Sequence, residues 1–183
     1  MASTTREAWL NAALELLDEH GPAALTIERV TERVGRTKGS FYHHFGSHAR
    51  FKTAIIEHLE QLGYTTVVQS VNQGRTARER LTRLIHEVAS GSPSFETTLR
   101  AWAGQDDEVA AFVAKLDTER LAYLQAVMTD LTHHADRASV LARLMYASYL
   151  GALYLQPAAH GNELTAMLTE LARLATPPEE EAP

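Results

Sequence analysis

A chain of 183 residues with 45% apolar content can bury a sound core in one or two small domains, and its lack of cysteine excludes disulfides, thiolate metal sites and thiol sensors. Arg6, Glu7, Glu15 and Asp18 run through the apolar pattern of the first 21 positions, which is unlike a signal peptide, and no apolar run reaches membrane-spanning length. A cytoplasmic protein with no membrane partner is expected, and with a net charge of −6 it can meet an anionic partner only through a local basic face.

Hydrophobic spacing predicts helices throughout and almost no strand. The first spans about 4–20, with Trp9, Ala12, Ala13, Leu16 and Leu17 on one stripe and His20-Gly21-Pro22 as its stop. Ile27, Val30 and Val34 give a second, short helix one buried face. Gly35 then supplies a tight turn, since a residue without Cβ can take positive φ. Thr37 is placed as the N-cap of a third helix through Lys38, Gly39, Ser40, Phe41, Tyr42 and His43. A fourth opens at Ser47 and continues to about Asn72 along Phe51, Ile55, Leu59 and Leu62.

Thr76 and Glu79 form a capping box ahead of a fifth helix that carries Leu81, Leu84, Ile85 and Val88. A short sixth holds Phe95, Leu99 and Trp102. The acids Asp106, Asp107 and Glu108 suit the N-terminus of a long seventh that reaches about Leu131. An eighth over 137–156 is apolar almost all round, so it must be covered on most sides, and Gly151 permits close helix approach. The ninth covers 162–175. The expected fold is all-α with about nine helices. Residues 1–46 form a helix-turn-helix head, 47–176 a larger helical body and 177–183 a disordered acidic tail.

The head carries the functional signal. Over 29–52, six basic residues (Arg29, Arg33, Arg36, Lys38, Arg50, Lys52) stand against one acid, Glu32, a local net of +5. A short helix that is polar, basic and aromatic-tipped fills a core poorly but suits a DNA major groove, entered N-terminus first. Lys38 is placed to reach a guanine edge, and Gly39 lets the backbone approach the bases. Thr37 and Ser40 can bond phosphate or base. Arg36 can snorkel or contact the backbone, as can Arg29. His43 and His48 are candidate phosphate contacts, whereas Phe41 and Phe45 belong to the core of the head.

Other chemistries find little support. His43 and His44 point apart on a helix, Gly46 interrupts the spacing from His44 to His48, and no HExxH pattern occurs. No metal, cofactor or catalytic residue is assigned. Asp117 and Glu119 fit an ordinary solvated helix face.

Residues 6–52 resemble the DNA-binding domain of the TetR family of bacterial transcriptional regulators. The resemblance rests on Arg6, Ala12-Ala13, Leu16-Leu17, Gly21, Thr26-Ile27, Gly35, Thr37, Gly39-Ser40-Phe41-Tyr42, His44-Phe45 and Ser47. The chain departs from the family at Val30-Thr31, Val34, Arg36 and His48, the last standing where the family most often has a phosphate-binding lysine. The resemblance implies that the Tyr42 hydroxyl meets a phosphate and that two copies pair through their last two long helices. That pairing would place Leu141, Leu144, Met145, Ser148, Gly151, Ala152, Leu155, Leu164, Leu168 and Leu171 at a homodimer interface.

Such a dimer sets two recognition helices about 34–36 Å apart on a palindromic operator of double-stranded DNA. The resemblance also implies a small-molecule effector in the body that lowers DNA affinity. His86, Phe95, Trp102, Phe112, Tyr123, Met128 and Tyr146 could line its pocket. Few buried charges are foreseeable there, which points to a neutral or apolar ligand. The competing reading is a helical interaction protein whose DNA-reading head is degenerate at Arg36 and His48. A helical enzyme ranks third. Activation, or dependence on a corepressor, stays open.

Overall fold

The computed structural model describes residues 5–175, so the expected tail at 177–183 lies outside the described residues. Among them every regular element is helical. The α-helices are α1 Arg6–His20, α2 Ile27–Val34, α3 Lys38–Phe45, α4 His48–Glu60, α5 Thr66–Val71, α6 Ala77–Ser90, α7 Pro93–Ala103, α8 Asp107–Thr132, α9 Ala135–Leu153 and α10 Gly161–Ala175. A 3-10 turn at Pro22–Ala24 follows α1.

Hydroxyl side chains start the helices. Thr5, Thr26, Thr37, Ser47 and Thr76 each accept a hydrogen bond from the backbone N–H three residues on. Each such cap satisfies one orphan donor and contributes about 1 kcal/mol. The capping box at Thr76 is modified, because Glu79 Oε2 accepts from Arg75 N–H at 2.7 Å. Gly35 ends α2 in the left-handed region at φ 67°, and Arg36 N–H returns to the Thr31 carbonyl at 2.9 Å. A side chain there would be strained, which is the reason for glycine in this turn.

The fourth helix expected from sequence is interrupted. Between α4 and α5 the helical path widens into a π turn, Gln61–Thr65, centred on Gly63. Glycine is the weakest helix former in that stretch, and alternation of apolar residues alone does not reveal such a widening. The eighth expected helix also ends early, at Leu153, leaving Tyr154 and Leu155 beyond α9.

The described residues fall into two compact units: residues up to Gly63 with Thr98–Val113, and Tyr64–Thr97 with Ala114 onward. In the first, α1 packs on α2 and α4, while α3 packs on α2 and α4. Trp9, Leu17, Val30, Phe41, Phe51 and Ile55 are almost wholly buried there. In the second, α10 packs on α6 and α9, and α5 on α6. Leu81, Ile85, Leu124, Met128, Leu141, Met145, Leu164 and Leu168 make its core.

Part of the expected dimer interface lies in that core. Leu141, Met145, Ala152, Leu164 and Leu168 are buried within their own chain, at 8% exposure or less. An all-round apolar helix has more than one face to cover, and this face is spent on α6, α8 and α10 side chains. Leu144, Gly151 and Leu155 stay exposed, with Ser148 and Leu171 half-buried. Nothing lies within 4 Å of where a Cβ on Gly151 would stand, so the close approach it permits is not used inside the chain.

Phe41 is fully buried at the centre of the first unit. Phe41→Ala is expected to remove about 3–5 kcal/mol of stability, measured by urea denaturation, with Phe41→Leu losing less.

Candidate nucleic-acid interface

The local sequence makes α3 two-sided. Phe41 and Phe45, four residues apart, point the same way and are buried. Phe41 lies 5.8 Å from the Trp9 ring and 5.0 Å from Phe51, and Phe45 lies 4.7 Å from Phe51, all edge-on. These are favourable geometries for aromatic quadrupoles. His44 joins the same cluster, 6.0 Å from Trp9. The opposite side of α3 is open: Thr37, Lys38, Gly39 and His43 are exposed, and Tyr42 is 50% exposed with its ring edge on Phe41. Ser40 and Arg36 are half-buried at the margin.

Gly39 is not demanded by the packing of the chain. A Cβ there would meet Thr37 Oγ1 at 3.7 Å, an ordinary contact. The space in front of it is therefore outward and available to a partner. His48 is exposed too, but its Nε2 lies 2.8 Å from the Leu25 carbonyl oxygen. One ring nitrogen is thus engaged by the connection between α1 and α2.

The basic cluster is less open than its sequence suggests. Arg33 is held by Glu15 at 3.1 Å and Glu19 at 2.5 Å, both on α1. Lys52 Nζ sits 2.9 Å from Asp106 Oδ2 and 2.8 Å from Glu108 Oε2. Lys38 pairs with Glu28 on the first turn of α2. The partners lie outside the 29–52 window, so counting within it missed them. Charge follows: hydrogen bonding to Arg33 holds the Glu19 carboxyl below its ordinary range, and the bond to Lys38 does the same for Glu28. Arg29 and Arg50 are exposed.

The residues expected around an effector are divided between the units. Trp102 and Phe112 are buried in the first. There Trp102 lines a cavity of about 210 Å³ with Pro22, Leu25, His48, Phe51, Lys52, Ile55 and Asp106. Phe95, Tyr123, Met128 and Tyr146 lie in the second, where Met128 is closed into the core. Tyr123 donates its hydroxyl to Asn72 Oδ1 at 2.8 Å. His86 faces solvent on α6, against Ser90 Oγ at 3.3 Å, because Leu81, Ile85 and Ala89 take the inward face of that helix.

Among the described residues of the body, one charged residue is buried. Glu96 is 3% exposed and accepts from Arg120 Nη1 at 3.0 Å. Arg120 also reaches the Tyr146 hydroxyl at 3.4 Å, and that hydroxyl donates to Asp117 Oδ1 at 2.7 Å. Burial pushes the Tyr146 phenol up to about 12. Asp117 is half-buried and not on a solvated face. The partners are 24 to 29 residues apart, so no local pattern announces them.

Comparison with known proteins sets this geometry in context. Residues 10–51 match the family described as bacterial regulatory proteins, tetR family. A nucleoid occlusion factor, SlmA of Alteromonas mediterranea, is 28% identical over 133 residues, which are 69% of this chain and 68% of that protein. The curated relatives are matched over 50% to 68% of their own length. Among solved structures, a TetR transcriptional regulator from Legionella pneumophila superposes with a TM-score of 0.75 at 15% identity, over 94% of this chain and 98% of that one. The regulator FadR from Bacillus subtilis, in complex with stearoyl-CoA, gives 0.71 at 13% identity over 94% and 98%. These structures share the fold of a helix-turn-helix head with a helical body.

Lys52 holds the Asp106 carboxyl below its ordinary range by hydrogen bonding, which outweighs the opposing effect of burial. A lowered carboxylate stabilises the folded state above its unfolded value, and the contribution declines as pH falls below about 4. Asp106→Asn should therefore destabilise at neutral pH and flatten the acid limb of stability, read by urea denaturation between neutral and acidic pH.

Proposed function

We propose, from the match of residues 10–51 to the family of bacterial regulatory proteins described as tetR, that the chain is a dimeric, cytoplasmic transcriptional repressor released from a palindromic operator by a small molecule. The observation that carries the reading is the two-sided α3: Phe41 and Phe45 anchor it to the core while Lys38, Gly39, Tyr42 and His43 face outward. Lys38 reads a guanine edge, and Thr37, Ser40, Tyr42, His43 and His48 hold phosphate or base, with Arg36 on the backbone. Residues 1–46 act as the reading head and 47–176 as the effector and dimer body.

Dimerisation is supported by what the chain leaves uncovered. Val140, Leu144, Tyr154, Leu155 and Met167 are 39% to 59% exposed, and Gly151 offers an open backbone among them. Large exposed apolar side chains on α9, the turn after it and α10 suit a two-fold contact. Leu144, Gly151 and Leu155 of the interface expected from sequence belong to this exposed set. The effector is supported by fold likeness to FadR, which was solved with a bound ligand. Its binding shifts the population toward a state whose recognition helices fit the operator poorly, so effector and operator weaken each other's binding.

A second reading comes from likeness to a nucleoid occlusion factor: the head marks many chromosomal sites and controls no single promoter. Genome-wide capture separates the two, since one or a few operators support the repressor and dispersed sites support the alternative.

Operator selection from genomic DNA is expected to return a palindrome. Lys38→Ala should lower affinity for it by about 1–3 kcal/mol. Leu144→Glu should give a folded monomer in sedimentation and lose the cooperative two-site footprint. Recovery of the palindrome by a stable monomer would sink the dimer assignment.

A further inference from the structure

Lys38 does not stand alone on the open side of α3. Its Nζ donates to Glu28 Oε1, and the pair joins the first turns of the two motif helices. The side chains are 58% and 66% exposed. An ion pair so placed in water adds little to folding. Glu15, Glu19, Asp106 and Glu108 pair instead with cations that are at most 30% exposed: the first two hold Arg33 of α2 to α1, and the last two hold Lys52. Glu28 instead sets a carboxylate on the outward face beside the N-terminal end of α3. On a surface that meets phosphates such a group is repulsive, so its presence there calls for a use.

The couple offers a donor and an acceptor side by side. In the major groove a G·C pair offers the complement, guanine O6 and N7 as acceptors next to the cytosine N4 donor. We infer that Glu28 is a specificity-determining residue that reads one G·C pair in each half-site together with Lys38. Lys38 donates to guanine and Glu28 accepts from cytosine N4. Because the intramolecular pair is exposed, a matched base edge can take over both partners. Random DNA gains less. There Glu28 holds the ammonium back from phosphate and repels the backbone, which lowers non-specific affinity and widens the specificity ratio. This inference rests on the DNA-reading role proposed for α3.

The test runs operator selection and a salt titration on random duplex with the full chain, Glu28→Ala, Glu28→Gln and Lys38→Ala. The expected result is that both Glu28 variants lose preference at one G·C position per half-site, by about tenfold, while other positions hold. They should also bind random duplex more tightly, with a steeper salt dependence, since each freed Lys38 displaces about one more counterion. Glu28 is exposed, so both variants should keep the parent melting curve, and a variant that does not is replaced by the other. If Lys38→Ala alters selection while the Glu28 variants leave it and the salt slope unchanged, the Glu28 inference fails and the DNA-reading role stands. If the unaltered chain selects no sequence and Lys38→Ala leaves affinity unchanged, the DNA-reading role fails and takes this inference with it.

Discussion

The contact among Trp9, Phe41, Phe45 and Phe51 governs everything the head can do. An eight-residue helix does not persist alone in water, because nucleation is unfavourable and too few turns follow it. In α3 the deficit is met by two phenylalanines one turn apart, buried against α1 and α4. Their burial fixes which side of α3 faces out, and hence that Lys38, Gly39 and Tyr42 are presented together. The hydroxyl caps at Thr37 and Ser47 and the left-handed Gly35 then set where the helix starts and how it leaves α2. Recognition chemistry is thus placed by apolar packing on the hidden face.

Much of this was legible in the sequence for a physical reason. Caps, turn glycines and one-turn aromatic spacing are local signals, and the head is built almost entirely from them. Helix starts at Thr26, Thr37, Ser47 and Thr76 follow from hydroxyl residues before apolar periodicity. What escaped is non-local. The acids that pair with Arg33, Lys52 and Lys38 come from α1, from α8 and the residue before it, and from the start of α2, outside the basic window. The buried Glu96–Arg120 pair joins α7 to α8 across 24 residues. The π turn at 61–65 likewise changes hydrogen-bond register without changing composition.

The division of α9 shows how one sequence feature can serve two ends. Its near-continuous apolar character reads equally as a core helix and as an interface helix. The fold assigns Leu141 and Met145 to the core and leaves Val140 and Leu144 uncovered. A position shift of one residue along a helix turns the side chain by about 100°, so neighbouring leucines and valines part company. The apolar excess is therefore divided: one face closes the chain on itself, and the other stays exposed.

Buried charge in the second unit is tolerated only with its partners in place. Glu96 and Arg120 are mutually compensated, and removing one partner would leave the other desolvated and unpaired. Tyr146 extends the network to Asp117 by donating a hydrogen bond, and burial raises its phenol above the ordinary range. The four side chains Glu96, Arg120, Tyr146 and Asp117 therefore stand or fall together, for an electrostatic reason that composition alone does not carry.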